Sequence, residues 1–316
     1  MDPRTRAWLE TIAVTLLLGL FLWWSYPGRE HKITEEITST STPLFIAPAI
    51  EAKAAIVYDA QTGRTIFEHN ADESLPLASL TKLMTAYTAY GIVPRYLLVR
   101  VTADDVREEG DTGLYTDEEW DLGSLIDFSL IVSSNDGARA IASVAGAQLI
   151  AAATSTPIES TPTSEFIEHM NIQATKLGLS SMHFYNYSGL DITTTQAGGY
   201  GSARDVTKLL KKILDKDPHI VEATALNATV IDSKIAAHPA GNTNKALPDI
   251  PGAIASKTGY TDLSGGNLTV AFDAGLGHPI IVTVLGSSYD GRFTDMSALV
   301  KATINYLATT SQSVAQ

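Results

Sequence analysis

Short β-type runs lie at both ends of the globular part of the chain, and helical patterns fill the stretch between them. Ala54 to Tyr58 forms one such run and Ile66–Phe67 begins another. Between them, Asp59-Ala60-Gln61-Thr62-Gly63 is turn chemistry, so the pair reads as a hairpin. Three further strands read from Ala253 to Lys257, Asn267 to Phe272 and Pro279 to Leu285. Pro76 introduces a helix from Leu77 to Tyr90, and Leu122 to Ala145 reads as a helix in two pieces broken around Ser133 to Gly137. Glu165 to Leu177 is an amphipathic helix closed by Gly178, and Ala203 to Leu214 is another. The last helix, Arg292 to Leu307, aligns Phe293, Met296, Val300 and Leu307 on one face. Strands at both ends with helices between them imply a mixed sheet closed by the two termini, an α+β class with a helical insertion.

The segment before this domain has a different character. Arg4 and Arg6 precede an apolar run from Thr11 to Tyr26 that ends in Trp23, Trp24, Tyr26 and Pro27. Residues 1–27 read as a transmembrane signal-anchor, with the arginines cytoplasmic and the aromatic cluster at the far interface. The expected location is the cell membrane, crossed once, with the remainder of the chain extracytoplasmic. A cleaved signal peptide and a secreted product form the rival reading, but cleavage needs small residues where Trp23-Trp24-Ser25-Tyr26-Pro27 supplies bulky ones. Residues 28–46, rich in Thr, Ser and Glu, read as a flexible spacer, 47–308 as the globular domain and 309–316 as a polar tail. Ala152 to Ser164, made of Ala, Thr, Ser and Pro with little apolar bulk, reads as a surface loop.

Charge and residue usage exclude several functions. With 22 basic and 35 acidic residues the formal charge is −13, the wrong sign for binding nucleic acid. The chain has no cysteine, which removes disulfides, thiolate zinc sites and a thiol nucleophile. The seven histidines are scattered without metal-ligand spacing, so neither a metal nor a cofactor is expected.

Three short patterns carry the chemistry, in this order: Ser79-Leu80-Thr81-Lys82, Ser133-Ser134-Asn135 and Lys257-Thr258-Gly259. A Ser-x-x-Lys alone is expected roughly once by chance in a chain of this size. The ordered set, each member in a suitable element, points to a serine acyl-transfer site. Three-residue spacing on a helix puts Ser79 and Lys82 on one face, so the amine can act as base to the hydroxyl. A base must be neutral, which requires the Lys82 pKa to fall from about 10.4 toward about 7–8. Burial and a second cation, for which Lys257 is the natural choice, are expected to supply that shift. Ser133 can relay a proton to the leaving amine, Asn135 suits a substrate amide, and Thr258 a substrate carboxylate. Gly259 lets a substrate backbone approach, and the Ser79 and Tyr260 N–H groups form the expected oxyanion hole.

The sequence resembles the D-alanyl-D-alanine carboxypeptidases, the low-molecular-mass serine penicillin-binding proteins, over roughly residues 52–307. Beyond the three motifs, the resemblance rests on Ala55 to Gly63, Asn70-Ala71-Asp72, Phe184 to Asp191, Ser202 to Asp205 and Lys257 to Asp262. It implies a β-lactamase/transpeptidase-like fold, an antiparallel sheet flanked by helices with a helical subdomain. It implies hydrolysis of the terminal D-Ala–D-Ala bond of peptidoglycan stem peptides through an acyl-enzyme on Ser79, and acylation by β-lactams. Family members hold the terminal carboxylate with a basic residue, whose position Arg292 matches. The chain departs from the family pattern at Ser134, where Gly is frequent, and in the 152–164 stretch. It runs only a short way past Leu307, so the second β-rich domain and C-terminal amphipathic helix of many relatives are expected to be absent.

Two rivals stand beside this reading. A class A-like β-lactamase deacylates with a Glu-x-x-Leu-Asn segment, which the acidic stretch Glu165 to Asn171 does not supply. A catalytically inactive, membrane-tethered peptidoglycan-binding module is disfavoured because every polar catalytic position is filled.

Overall fold

The computed structural model describes residues 2–24, 44–110, 113–153, 160–275 and 277–314. Helix α1 (Pro3–Trp24) belongs to one compact unit, 1–41, and everything from residue 42 onward to a second. Within α1, Leu16, Leu17, Leu18, Leu20 and Phe21 are exposed. No helix among the described residues is long and apolar enough to cross a membrane. Most of the expected 28–46 spacer lies outside the described residues.

The second unit begins with the hairpin β1 (Ala54–Asp59) and β2 (Thr65–His69), then β3 (Leu75–Pro76) and helix α2 (Thr81–Ile92). The strand pair β4 (Leu98–Arg100) and β5 (Glu119–Asp121) leads into helices α3 (Leu122–Ile131), α4 (Asn135–Ala152) and α5 (Pro162–Lys176). Next come β6 (His183–Phe184), β7 (Gly199–Gly201), helix α6 (Ala203–Lys216) and the hairpin β8 (Ala228–Asp232) and β9 (Ala237–Gly241). Strands β10 (Ala253–Thr261), β11 (Gly265–Asp273) and β12 (Pro279–Ser287) and helix α7 (Gly291–Val314) complete the chain.

The two ends do join in one sheet. Its order is β10-β11-β12-β1-β2, antiparallel throughout and not mixed, because hairpins join its consecutive strands, with Ala54 opposite Leu285 and Val57 opposite Val282. Both faces of this sheet are covered, and the period-2 geometry of a strand divides its residues between two cores. Ala54 and Ile56 of β1, with Ile281 and Leu285 of β12, face the core built with α2 to α6. Ala55, Val57, Ile280, Val282 and Val284 face the opposite core, closed by Phe293, Met296, Leu299 and Val300 of α7. Three buried hydroxyls join α6 to the first face: Thr283 lies 2.7 Å from both Thr207 and Thr269. A buried hydroxyl without such a partner is costly, so this triad also fixes register.

Local chemistry explains the boundaries. At the β1–β2 turn, Asp59 Oδ1 accepts from the Gln61 and Thr62 N–H groups at 3.0 Å each, and Gly63 takes φ 76°. Helix α5 starts at Pro162, three residues before the expected Glu165, because Thr161 and Ser164 form a capping box there. Part of the expected 152–164 loop is therefore helical at its ends, and residues 154–159 lie outside the described residues. Helix α7 runs on to Val314, so the polar segment from 309 begins as helix. Strands β10 to β12 are each longer than their apolar runs, since strand pairing carries the ends along.

The buried Asp295 of α7 ties the sheet's ends to this helix. It accepts from the Glu51 N–H at 3.0 Å, the Ala52 N–H at 2.9 Å and the Ser287 hydroxyl at 2.7 Å. Asp295→Ala leaves buried donors without an acceptor and is expected to cost about 3 kcal/mol of unfolding free energy. Urea denaturation of wild type and variant checks this, and a difference below about 1 kcal/mol contradicts it.

Candidate active site

The turn that carries the nucleophile is held from three sides. Ala78 to Leu80 form a single 3-10 turn ahead of α2, and Ala78 has φ 47°, a left-handed conformation that is strained for a residue with a Cβ. Gly189, at φ 85°, passes so close that a Cβ there would lie 1.8 Å from the Ala78 carbonyl oxygen. Gly259 of β10 packs on the same turn, where a Cβ would fall 2.9 Å from the Leu77 oxygen and 3.1 Å from the Ser79 nitrogen. Gly259 therefore lets β10 lie against the nucleophile turn, a closer reason for glycine than approach of a substrate backbone. Leu77, Ala78 and Leu80 are buried, which locks the turn into the core below it.

From this turn Ser79 projects toward Lys82. The Lys82 Nζ lies 2.9 Å from Ser79 Oγ, 2.7 Å from Asn135 Oδ1 and 2.9 Å from the Ser188 carbonyl oxygen. An ammonium has three donors, and these three acceptors satisfy them all. As a neutral amine it keeps two N–H donors for Asn135 and Ser188, and its lone pair then faces Ser79. The pKa of Lys82 is lowered to about 7, because burial penalises the charged form, with the Glu108 carboxylate acting weakly in the other direction. Burial, the first of the two causes expected from the sequence, leads the shift.

Lys257 is equally buried, 2.8 Å from Ser133 Oγ and 2.8 Å from the Thr258 carbonyl oxygen. Burial holds its pKa well below the ordinary lysine value, with repulsion from Lys82 and then Arg292 adding to it. The two buried amines interact, and like charge on one disfavours charge on the other. Ser133 sits in the break between α3 and α4 at φ 63°, a second strained residue at the site. Ser134 caps α4 by accepting from the Gly137 N–H at 2.9 Å, which explains a serine at this position.

Ser79 and Ser133 open onto one groove of about 340 Å³, together with Thr258, Gly259, Tyr260 and Arg292. The fold thus brings every predicted site residue together, Asn135 and the two lysines lying directly behind the serines. Two of them are engaged differently from expectation. Asn135 is occupied at both ends, with its Oδ1 on Lys82 and its Nδ2 donating to the Glu109 carbonyl oxygen at 2.6 Å. Arg292 is 5% exposed and not a surface arginine. Its guanidinium donates to the Gly259 carbonyl oxygen at 2.7 Å and lies 4.6 Å from the Tyr289 ring centre.

Several residues of the site escaped sequence reasoning. Ser188 contributes only a backbone carbonyl, for which side-chain identity gives no signal. Glu108 accepts from Tyr187 at 2.6 Å and Arg139 at 2.9 Å, and these pairings link residues far apart in the chain. Thr243 meets Thr258, hydroxyl to hydroxyl, at 2.6 Å.

The chain and its fold are similar to known proteins. The family model for D-alanyl-D-alanine carboxypeptidase matches residues 38–288. The D-alanyl-D-alanine carboxypeptidase DacF of Bacillus subtilis is 29% identical over 291 residues, covering 89% of this chain and 67% of its own length. A D-alanyl-D-alanine endopeptidase of Haemophilus influenzae is 31% identical over 222 residues, 69% of each chain. The chain therefore spans about two thirds of the length of these curated relatives. Penicillin-binding protein D2 of Listeria monocytogenes, in its ampicillin-bound form, superposes with TM-score 0.64 at 27% identity, covering 81% of this chain and 98% of that one. A mutant of the Streptomyces K15 DD-transpeptidase shares the fold at TM-score 0.70 and 24% identity, covering 83% and 99%. With a family model matched over most of its length, the chain belongs to the D-alanyl-D-alanine carboxypeptidases, which are serine peptidases of the penicillin-binding type.

Proposed function

We propose that the domain from residue 47 to 308 removes the terminal D-Ala from peptidoglycan stem peptides through an acyl-enzyme on Ser79. The observation that carries this reading is the 2.9 Å contact between Ser79 Oγ and a buried Lys82 whose pKa is about 7. Lys82 takes the hydroxyl proton as Ser79 Oγ bonds to the carbonyl carbon of the penultimate D-Ala. Charge on the carbonyl oxygen is stabilised by the Ser79 and Tyr260 N–H groups. The C–N bond then breaks, and the departing amine takes its proton through Ser133, whose hydroxyl Lys257 holds at 2.8 Å. Asn135 fixes the Lys82 amine, and Thr258 and Gly259 line the groove where the substrate backbone lies. Water resolves the acyl-enzyme and releases the shortened peptide. A β-lactam acylates Ser79 by the same first step.

Intact-protein mass spectrometry with a fluorescent penicillin is expected to show one stable adduct, absent in Ser79→Ala, and a synthetic pentapeptide is expected to release D-Ala. An unmodified wild-type protein favours the inactive binding module, and rapid turnover of the penicillin favours a β-lactamase. The acylation rate is expected to follow the neutral fraction of Lys82. It is half-maximal near pH 7, falls about tenfold per unit below that and levels off above it. A flat profile between pH 5.5 and 8.5, about three units wide and centred on that pKa, contradicts Lys82 as the base.

We also propose that residues 1–27 tether the domain to the cell membrane, with the catalytic part extracytoplasmic. Support comes from the exposed leucines and Phe21 of α1 and from Arg4 and Arg6 before them. Deleting residues 1–27 is expected to move the protein from the membrane pellet to the soluble fraction. An unchanged pellet contradicts the tether.

A further inference from the structure

A second polar cluster is built from the chain neighbours of the residues that hold the Lys82 amine. Asn135 and Arg139 stand one helical turn apart on the same face of α4. Glu108 precedes Glu109, whose carbonyl oxygen accepts from the Asn135 amide at 2.6 Å. Tyr187 precedes Ser188, whose carbonyl oxygen accepts from the Lys82 amine at 2.9 Å. Three of these neighbours meet at one atom. Glu108 Oε1 accepts from the Tyr187 hydroxyl at 2.6 Å and from Arg139 Nη1 at 2.9 Å. The same Nη1 lies 3.0 Å from the Tyr187 hydroxyl oxygen, which closes a triangle of hydrogen bonds.

Burial and charge make this triangle a strong tie. Tyr187 is 6% exposed, so its hydroxyl needs an acceptor inside the protein. Burial, and then the bond to Glu108, push its pKa above the ordinary phenol value, so the hydroxyl stays a donor. Bonds to a carboxylate are charge-assisted and stronger than neutral ones. Arg139 also faces the buried Asp105 at 3.6 Å, and Asp105 accepts from the Thr102 N–H and hydroxyl at 2.8 and 2.7 Å. The Tyr187 backbone is held as well: its carbonyl oxygen accepts from Thr85, one turn after Lys82 on α2, at 2.7 Å. The segment between β4 and β5, the start of α4 and the loop before β7 are thus joined at Glu108. These same segments supply Glu109, Asn135 and Ser188 to the network around the amine.

We propose that Glu108 is a positioning residue for acylation: by gripping Arg139 and Tyr187 it fixes the Glu109 and Ser188 carbonyls, and through them the direction in which the Lys82 amine meets Ser79. This rests on the peptidase reading above. The charged and titratable groups on the elements around Lys82 are Lys257 of β10, Asp136 and Arg139 of α4, Tyr187 before β7, and Asp105 and Glu108 between β4 and β5. Among these the Glu108 carboxylate favours the ammonium form of Lys82, against the effect of burial. Removing its charge therefore lowers the Lys82 pKa and leaves more of the neutral amine at acid pH. Position and charge at Glu108 are separable, because a glutamine keeps the acceptor oxygen without the charge.

The test uses the full-length chain in detergent, as wild type, Glu108→Ala and Glu108→Gln, with a fluorescent penicillin as probe from about pH 5.5 to about pH 8.5. In Glu108→Ala the saturating acylation rate on the alkaline plateau is expected to fall about tenfold, with the half-saturating concentration within about twofold of wild type. Glu108→Gln is expected to recover most of that rate, and the midpoint of its pH profile to lie below that of wild type. A residue that only stabilised the fold would leave the midpoint in place. If Glu108→Ala reaches the wild-type plateau, or if Glu108→Gln titrates at the wild-type midpoint, the positioning role is overturned. Where the alanine variant does not fold, the midpoint of Glu108→Gln decides alone. If wild type is not acylated at all, the peptidase reading falls, together with this inference.

Discussion

An amine taken out of water keeps its charge only if partners replace the lost hydration, and the site is arranged around this constraint. Lys82 is buried beneath the nucleophile with three oxygen atoms about it and no carboxylate in contact. Hydrogen bonds offset part of the desolvation of the ammonium but not all of it, so the balance tips toward the neutral amine. Each of the three oxygens comes from a different part of the chain: the 3-10 turn, the start of α4 and the loop before β7. Lys82 has this set of partners only when all three segments are in place, which ties its charge state to the completed fold.

The same economy of approach governs the backbone near Ser79. Ala78 and Ser133 both occupy left-handed conformations that a residue with a Cβ adopts at a cost of order 1–3 kcal/mol. Gly189 and Gly259 leave room for the turn at Ala78 to be pressed against β10 and the loop before β7. Strain at the two serine-bearing turns is therefore held by packing on either side. The sheet itself is anchored elsewhere, through the two cores on its faces and the Asp295 bonds to the ends of β1 and β12. Such a division lets the groove be polar and open while the framework beneath it stays apolar and closed.

The outline of this arrangement was legible because strand and helix periodicities depend on neighbours within a few residues. The hairpin at Asp59 to Gly63, the break near Ser133 and the three C-terminal strands all follow from local turn chemistry and alternation. Helix ends were read less well: α5 begins at a Thr161–Ser164 capping box within a stretch that reads as loop, and α7 runs past its last apolar residue. At α5 the deciding interactions are the reciprocal side-chain-to-backbone hydrogen bonds of Thr161 and Ser164, which composition does not reveal.

By itself the sequence determined which atoms can react: a Ser-x-x-Lys spacing one helical turn apart, a serine and asparagine at a helix break, and a lysine on a strand. It could not decide how those atoms share protons, because that depends on burial and on oxygens contributed by the backbone. Only the tertiary structure assigned the Lys82 shift to desolvation and turned Asn135 toward the amine. It placed Arg292 on the Gly259 carbonyl. The reason is physical: reactivity of a side chain is fixed locally, but its charge state is set by whatever the fold packs around it.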